Sequence, residues 1–274
     1  MKQLTLRELQ LAELDILKRY AAFCKKHNLK YSLIYGTLIG AARHQGFIPW
    51  DDDIDVCMPR PDYERLLSLA EDFNHATYKL IANPLGHSLD AVYAAIINTD
   101  IPCVNMYTDT MRSSYLWIDI FPVDGFAADD IIMKGIYLRS RLYQKMVKIA
   151  GAKYNTGKST AHRLGKLFLI PLCRLYGIQR CLDRMDLLAK SYPYDTANDI
   201  GIIAWGEGPQ ERFPKTGFNN MQELEFEGQK FPVLSCWKDY LKNMYGDYTQ
   251  LPPESERIDH NIIAYKKTVG EGYD

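Results

Sequence analysis

The chain has 274 residues, 47% apolar and 24% charged, with 33 Lys and Arg against 34 Asp and Glu. This is an ordinary globular composition, long enough to bury a full core as one large domain or a domain with an insertion. Six scattered cysteines without a C-x-x-C pair read as reduced core thiols, which excludes a disulfide framework or a zinc site.

Thr5 and Glu8 have capping-box spacing, so a first helix is expected, with Leu14, Leu17, Ala21 and Cys24 as its apolar stripe and an end near Asn28. A strand over 31–35 is expected next, then Gly36-Thr37 and a short helix from Leu38 to His44 stopped by Gly46. Ile54, Val56, Cys57 and Met58 read as a buried strand, and Pro59 and Pro61 open a helix over about 62–71. Further strands are predicted over 78–82, 92–98, 102–106 and 115–121, the middle two joined by a Thr99-Asp100 turn. From 129 to about 191 the pattern is helical, with Gly157 and Pro171 as breaks. A hairpin of Leu224 and Phe226 against Phe231 and Val233 across Gly228, a short helix over 237–245 and a tail opening with Leu-Pro-Pro complete the chain. No run of 18 apolar residues occurs, and MKQLTLRELQ lacks a signal peptide's basic and apolar regions, so a cytoplasmic protein is expected. The predicted class is α+β with a mixed sheet. Residues 1–128 are expected to form the catalytic core, 129–199 a basic helical lobe and 200–274 a segment completing the cleft.

Asp51, Asp52, Asp53 and Asp55 fall within five residues, a density of like charge that costs free energy unless a cation sits on it. Residues two apart on a strand share a face, so Asp53 and Asp55 are expected side by side, roughly 6–7 Å apart at Cα. Oxygen ligands suit Mg2+ or Mn2+, not zinc. A solvated turn is the competing reading. An EF-hand fails, because the sixth and twelfth positions from Asp51 are Val56 and Asp62. Asp119 stands alone among Trp117, Ile118, Ile120 and Phe121, where a carboxylate needs a partner. Either it pairs with Arg43 or Arg112, or it is a third ligand beside Asp53 and Asp55, which would explain both acidic strands with one ion.

Gly36-Thr37 between a strand and a helix is a phosphate-cradle arrangement, weak alone but strengthened by the Asp-x-Asp strand after it. Arg43 and His44 are candidates for a diphosphate oxygen, or form only a helix C-terminal turn. Arg257 and His260 are candidates for phosphate or acceptor binding. Gly151 to Ser159 resembles a P-loop, but five residues separate its glycines where four are required, and no strand precedes it. Residues 131–190 hold thirteen Lys and Arg against two Asp and Glu. Within them, 162–176 is apolar flanked by cations, the pattern of a lobe-core helix or of docking on an anionic membrane or polyanion.

GTLIGAARHQGFIPWDDDIDVCMPRPDYERL (36–66), WIDIFPVDGF (117–126) and YLKNMYGDYTQLPPESERIDH (240–260), in this order, resemble the LicD family, bacterial phosphocholine transferases of cell-surface polysaccharide. The resemblance spans nearly the whole chain outside 129–215 and implies a DNA polymerase beta-like nucleotidyltransferase core. Carried over, it places the Gly-Thr turn at Gly36-Thr37, Asp-x-Asp at Asp53 and Asp55, and the third Asp at Asp119. The long gap after Thr37 leaves Asp51 and Asp52 either as ligands or behind them. The implied reaction is transfer from CDP-choline, with Mg2+ or Mn2+, to a sugar hydroxyl of a lipid-linked, teichoic acid-type precursor, releasing CMP. Asp119 or Asp51 is expected to take the hydroxyl proton, and no nucleic acid is involved. Tyr35, Trp50, Tyr107, Trp117 and Trp205 are candidates for an aromatic box around choline. The rival readings are a nucleotidyltransferase, a transferase of another CDP-alcohol (ribitol or glycerol phosphate) and a polyanion-binding module. A glycosyltransferase would need a nucleotide-binding half before Asp-x-Asp, where only some 50 residues stand.

Overall fold

In the computed structural model, which describes residues 1–87, 89–104, 114–152, 160–257 and 262–266, a short strand β1 (Lys2–Gln3) leads into helix α1 (Leu6–His27). The capping box is formed as expected: the Thr5 hydroxyl accepts the Glu8 amide at 3.2 Å, and Glu8 Oε2 accepts the Thr5 amide at 2.8 Å. Asn28, at φ 51, closes the helix. Its buried stripe runs through Leu9, Leu14, Ile16, Leu17, Tyr20 and Cys24, but it also contains Gln10 and Glu13.

Two expectations around the acidic stretch are corrected. Strand β2 is only Ser32–Leu33, and helix α2 (Tyr35–His44) starts three residues before Leu38. The Leu38 amide already bonds the Ile34 carbonyl at 3.1 Å, which draws Tyr35, Gly36 and Thr37 into the first turn. Strand β3 is Asp55–Pro59, so Asp53 lies before the strand and the period-2 argument does not apply to it. Pairing sets this limit, because the ladders begin at Asp55 opposite Asp119 and Val56 opposite Leu33.

Helices α3 (Arg60–Ser68) and α4 (Ala70–Phe73) replace the single helix expected over 62–71. After strand β4 (Tyr78–Ile81), strand β5 (Ala94–Val104) is one strand, with a register shift between Asn98 and Pro102 where a Thr99-Asp100 turn was expected. Strand β6 (Tyr115–Gly125) outruns its predicted end at Phe121 and is buried at every residue after Tyr115, as a central strand must be. The helical stretch forms α5 (Asp130–Gly151), α6 (Thr160–Tyr176) and α7 (Ile178–Ala189). Pro171 lies inside α6, and the break falls at Gly177; Gly157 lies outside the described residues. Strands β7 (Asp199–Gly201) and β8 (Phe213–Pro214) follow. The expected hairpin is present as β9 (Gln222–Phe226) and β10 (Gln229–Val233). Glu227 (φ 52) and Gly228 (φ 72) are both left-handed, as a tight hairpin turn requires. Helix α8 (Trp237–Tyr245) and strand β11 (Ile263–Lys266) end the description.

Nine strands form one mixed sheet in the order β1-β11-β5-β6-β3-β2, with β4 also on β5, and β7 linking β6 to β8. Among the described residues β3 and β6 are its parallel pair, and the other pairs are antiparallel. The fold is α+β, as expected. Met133, Ile136, Tyr137 and Val147 of α5 and Leu182 and Met185 of α7 share the core of the sheet. The buried Arg60 guanidinium grips Asp124, at the end of β6, through two 2.6 Å bonds and reaches Asp186 of α7 at 3.2 Å. Among the described residues no helix is long and apolar enough to cross a membrane. The six cysteines are free, five of them buried.

Candidate active site

Parallel pairing of β3 with β6 sets Asp55 directly opposite Asp119, on neighbouring strands roughly 4.8 Å apart. The Asp119 amide bonds the Ile54 carbonyl at 2.9 Å, which carries the pairing back toward Asp53. Thr37, in the first turn of α2, is buried, and its hydroxyl accepts the Asp55 amide at 2.8 Å. The Gly-Thr turn and the acidic strand are thus tied by one hydrogen bond. Asp51 closes over the same turn: a Cβ on Gly36 would stand 2.7 Å from Asp51 Oδ2. Because that oxygen is the end of a movable side chain, Gly36→Ala should fold normally but displace the Asp51 carboxylate. A loss of about a hundredfold in turnover with an unchanged melting temperature is expected from steady-state kinetics.

The acids are held from behind. Asp52 is buried, and its Oδ2 accepts the Ile262 amide at 3.1 Å; Gln10 of α1 donates to the Asp51 carbonyl at 2.9 Å. Glu13 of α1 is fully buried, and neither of its carboxylate oxygens has a hydrogen-bond partner among the described residues. Burial first, then the charges of Asp53, Asp52, Asp51 and Asp55, hold its carboxyl well above the ordinary range. No other acid was expected in this cluster. Its signal is an acid set within the buried stripe of an amphipathic helix. Among the described residues no three carboxylate, imidazole or thiol groups stand ready-made around one point.

Of the expected aromatic residues, two converge. Phe121 lies two residues beyond Asp119 and on its face of β6. Tyr35 meets it edge-on at 5.4 Å, Tyr93 lies 4.2 Å from it, and Trp205 meets Tyr93 edge-on at 5.6 Å. Trp117 instead packs with Ile81, Leu89, Ala95 and Ile97, and Tyr107 lies outside the described residues. Trp50, next to Asp51, carries the Arg257 guanidinium 4.6 Å from its ring centre. His260 and Arg112 also lie outside the described residues. Arg43 is engaged away from the turn: its Nη1 donates to the Tyr248 and Gln250 carbonyls at 3.1 Å, and its Nε to His44 Nε2 at 2.9 Å. It ties α2 to the C-terminal segment, and six residues of helix, about 9 Å, separate it from Thr37.

Behind the rings lies Glu211, fully buried, accepting the Tyr35 hydroxyl at 2.9 Å, the Glu207 amide at 2.9 Å and the Tyr240 hydroxyl at 3.4 Å. Burial pushes its carboxyl up to about 8, against the pull of the three donors. Tyr245 is 41% exposed, but its hydroxyl end is enclosed: burial, then the charges of Glu207, Glu211, Asp55 and Asp51, raise its pKa. Tyr93 and Glu211 lie in no motif, and Phe121 and Tyr245 fall within the 117–126 and 240–260 stretches without standing out there; the tertiary fold brings all four together.

The LicD/FKTN/FKRP nucleotidyltransferase domain matches residues 28–149, a span that contains the Gly-Thr turn and all five aspartates. The chain is 33% identical over 267 residues to the lipopolysaccharide cholinephosphotransferase LicD of Haemophilus influenzae, covering 96% of this chain and 98% of that protein. Shorter matches join it to uncharacterised proteins of Rickettsia typhi (38% over 60 residues; 22% of this chain, 19% of that protein) and Rickettsia prowazekii (43% over 53 residues; 19% of this chain, 20% of that protein). With its acidic pair, its Gly-Thr turn and a relative aligned almost end to end, the chain belongs to the LicD family.

Proposed function

We propose that the chain is a phosphotransferase moving phosphocholine from CDP-choline to a sugar hydroxyl of a cell-surface polysaccharide precursor, such as a lipopolysaccharide or a lipid-linked teichoic acid-type chain. The end-to-end similarity to a cholinephosphotransferase supports the reaction class. The single observation that carries the assignment to this site is Asp55 opposite Asp119, with Thr37 bonded to the Asp55 amide. The order Gly-Thr turn, acidic strand, later aspartate also supports a DNA polymerase beta-like core.

The donor set fits Mg2+ or Mn2+, being oxygen-only, with the orphaned Glu13 carboxyl beside four aspartates. Asp53, Asp55 and Asp119 would hold the ion, with Asp51 as a further ligand. When bound it neutralises charge on the phosphoryl oxygens and on the departing CMP. The first-turn amides of α2 at Gly36 and Thr37 orient the diphosphate, helped by the positive end of the helix. The sugar oxygen attacks the choline-bearing phosphorus in line, its proton passes to Asp119 or Asp51, and the bond from that phosphorus to the CMP oxygen breaks. Tyr35, Phe121, Tyr93 and Trp205 wall the side where the quaternary ammonium sits. Arg257, over the Trp50 ring, is the cation for the acceptor or donor phosphate.

Product analysis with donor labelled in both halves tests the reaction. Free CMP and labelled choline phosphate on the acceptor are expected; cytidine label on the acceptor would mean nucleotidyl transfer and overturn the proposal. In a thermal-shift series with Mg2+, CDP-choline should raise the melting temperature more than CDP-ribitol or CDP-glycerol.

A further inference from the structure

Over 167–176, the part of helix α6 whose side chains are described, a narrow strip faces the rest of the protein. Ile170 and Cys173 are buried, and the Arg174 guanidinium donates through Nε to the Ala150 carbonyl at 2.9 Å. The outward side is apolar. Phe168 (78% exposed), Leu172 (61%) and Leu175 (83%) recur at i, i+4 and i+7, and Leu167 and Leu169 flank them. Leu138 and Leu142, one turn apart on α5, are also more than half exposed. Large side chains at this exposure are not core residues, although Ile170 and Cys173 of the same segment are. A helix apolar on its outer side is stable in water only if something covers it.

The charge around this face selects the cover. Residues 131–190 carry thirteen Lys and Arg against two Asp and Glu, and α6 itself has no acid. On α5, Lys134, Arg139, Lys145 and Lys148 are all exposed. A second copy of the chain would set two strongly positive surfaces against each other. An anionic polymer would match the charge but leave the leucines and Phe168 in water. An anionic bilayer satisfies both, with apolar side chains in the acyl boundary and cations among the headgroups.

We infer that α6, together with the exposed face of α5, docks the protein peripherally on anionic lipid. This holds whatever the transferred group is. It also has a geometric consequence: α5 is fixed to the aromatic wall. The Tyr137 hydroxyl donates to the Ile202 carbonyl at 2.8 Å, the Ser140 hydroxyl to the Ala204 carbonyl at 2.5 Å, and Lys148 Nζ lies 5.9 Å from the Trp205 ring centre. A docked lobe therefore holds the aromatic wall in a fixed position relative to the bilayer.

Sedimentation of the full-length chain with vesicles of phosphatidylcholine alone, or mixed with phosphatidylglycerol, tests the inference. Binding to the mixed vesicles should exceed binding to the neutral ones at least about tenfold at 0.1 M salt and fall in high salt. Phe168→Ser with Leu172→Ser and Leu175→Ser should lower it about tenfold or more, with melting temperature and transfer to a soluble acceptor unchanged, because these side chains lie outside the core. Arg139→Glu with Lys145→Glu should remove the anionic preference. Absence of binding, equal binding to both vesicle types, or undiminished binding by the serine variant would overturn the inference. So would a wild-type dimer that ignores vesicles and that the serine variant converts to monomer.

Discussion

Asp119→Asn should lower the transfer rate at least about a thousandfold while the protein still folds. Asp119 is buried at the centre of the sheet, directly across from Asp55. Two carboxylates on adjacent strands repel, and under the proposed function a cation shared between them would relieve that repulsion. A thousandfold is about 4 kcal/mol of transition-state stabilisation, the scale of a lost metal ligand. Asparagine keeps the shape and removes the charge, so secondary structure and melting temperature should remain near those of the wild type. A readout independent of turnover separates ligand loss from misfolding. Mg2+ or Mn2+ should raise the wild-type melting temperature and leave the variant's unchanged. Asp55→Asn should behave alike, and the double variant should be no worse than either single one, as expected of residues acting on one ion. Normal turnover in Asp119→Asn would remove the aspartate from the catalytic assignment.

What could be read from the sequence divides by range. The capping box of α1, the hairpin turn at Glu227-Gly228 and the α8 stripe are local, and each formed where propensity placed it. Element ends set by pairing were not legible. β3 starts at Asp55 because β6 pairs there, and β5 absorbs Thr99-Asp100 as a bulge because β6, opposite Leu116 at Asn98, takes up the pairing again at Pro102 opposite Tyr115. The pairing of Asp55 with Asp119 could be anticipated, since an isolated acid in an apolar strand needs a partner and one candidate cluster existed. Arg43 illustrates the opposite case: one turn beyond a phosphate-like motif it looked functional, but it spends its donors on carbonyls more than 200 residues away in sequence. Glu13 and Glu211 have no motif at all. Their significance rests on burial, which follows from packing, and a sequence shows burial only as an oddity of pattern.

Glu211 leads to the second large effect, on stability as a function of pH. Its folded carboxyl is raised to about 8 by burial, whereas in the unfolded chain it titrates near 4.5. The folded state therefore binds the proton more tightly. Stability from this group is complete below about pH 4.5 and is lost progressively as pH rises to about 8. Across that window the loss approaches 5 kcal/mol, an order-of-magnitude figure at 1.36 kcal/mol per pH unit. Glu211→Gln keeps acceptors for the Tyr35 hydroxyl and the Glu207 amide but cannot ionise. Urea unfolding at pH 5 should give wild type and variant similar stabilities, and at pH 8.5 the variant should be more stable by several kcal/mol. Other buried acids, such as Asp124, titrate in both proteins and cancel in the comparison. Parallel pH profiles would mean that the three donors outweigh burial and that Glu211 is already ionised at pH 5. Glu211→Ala is a different experiment, since it leaves the Tyr35 and Tyr240 hydroxyls without their acceptor. Tyr35 sits at φ 50 immediately before Gly36, so loosening it should disturb the cradle and raise KM for the donor even at pH 5, where Glu211→Gln should not. That outcome would make Glu211 a positioning residue, acting through the Tyr35 hydroxyl that it anchors beside the Gly36-Thr37 turn.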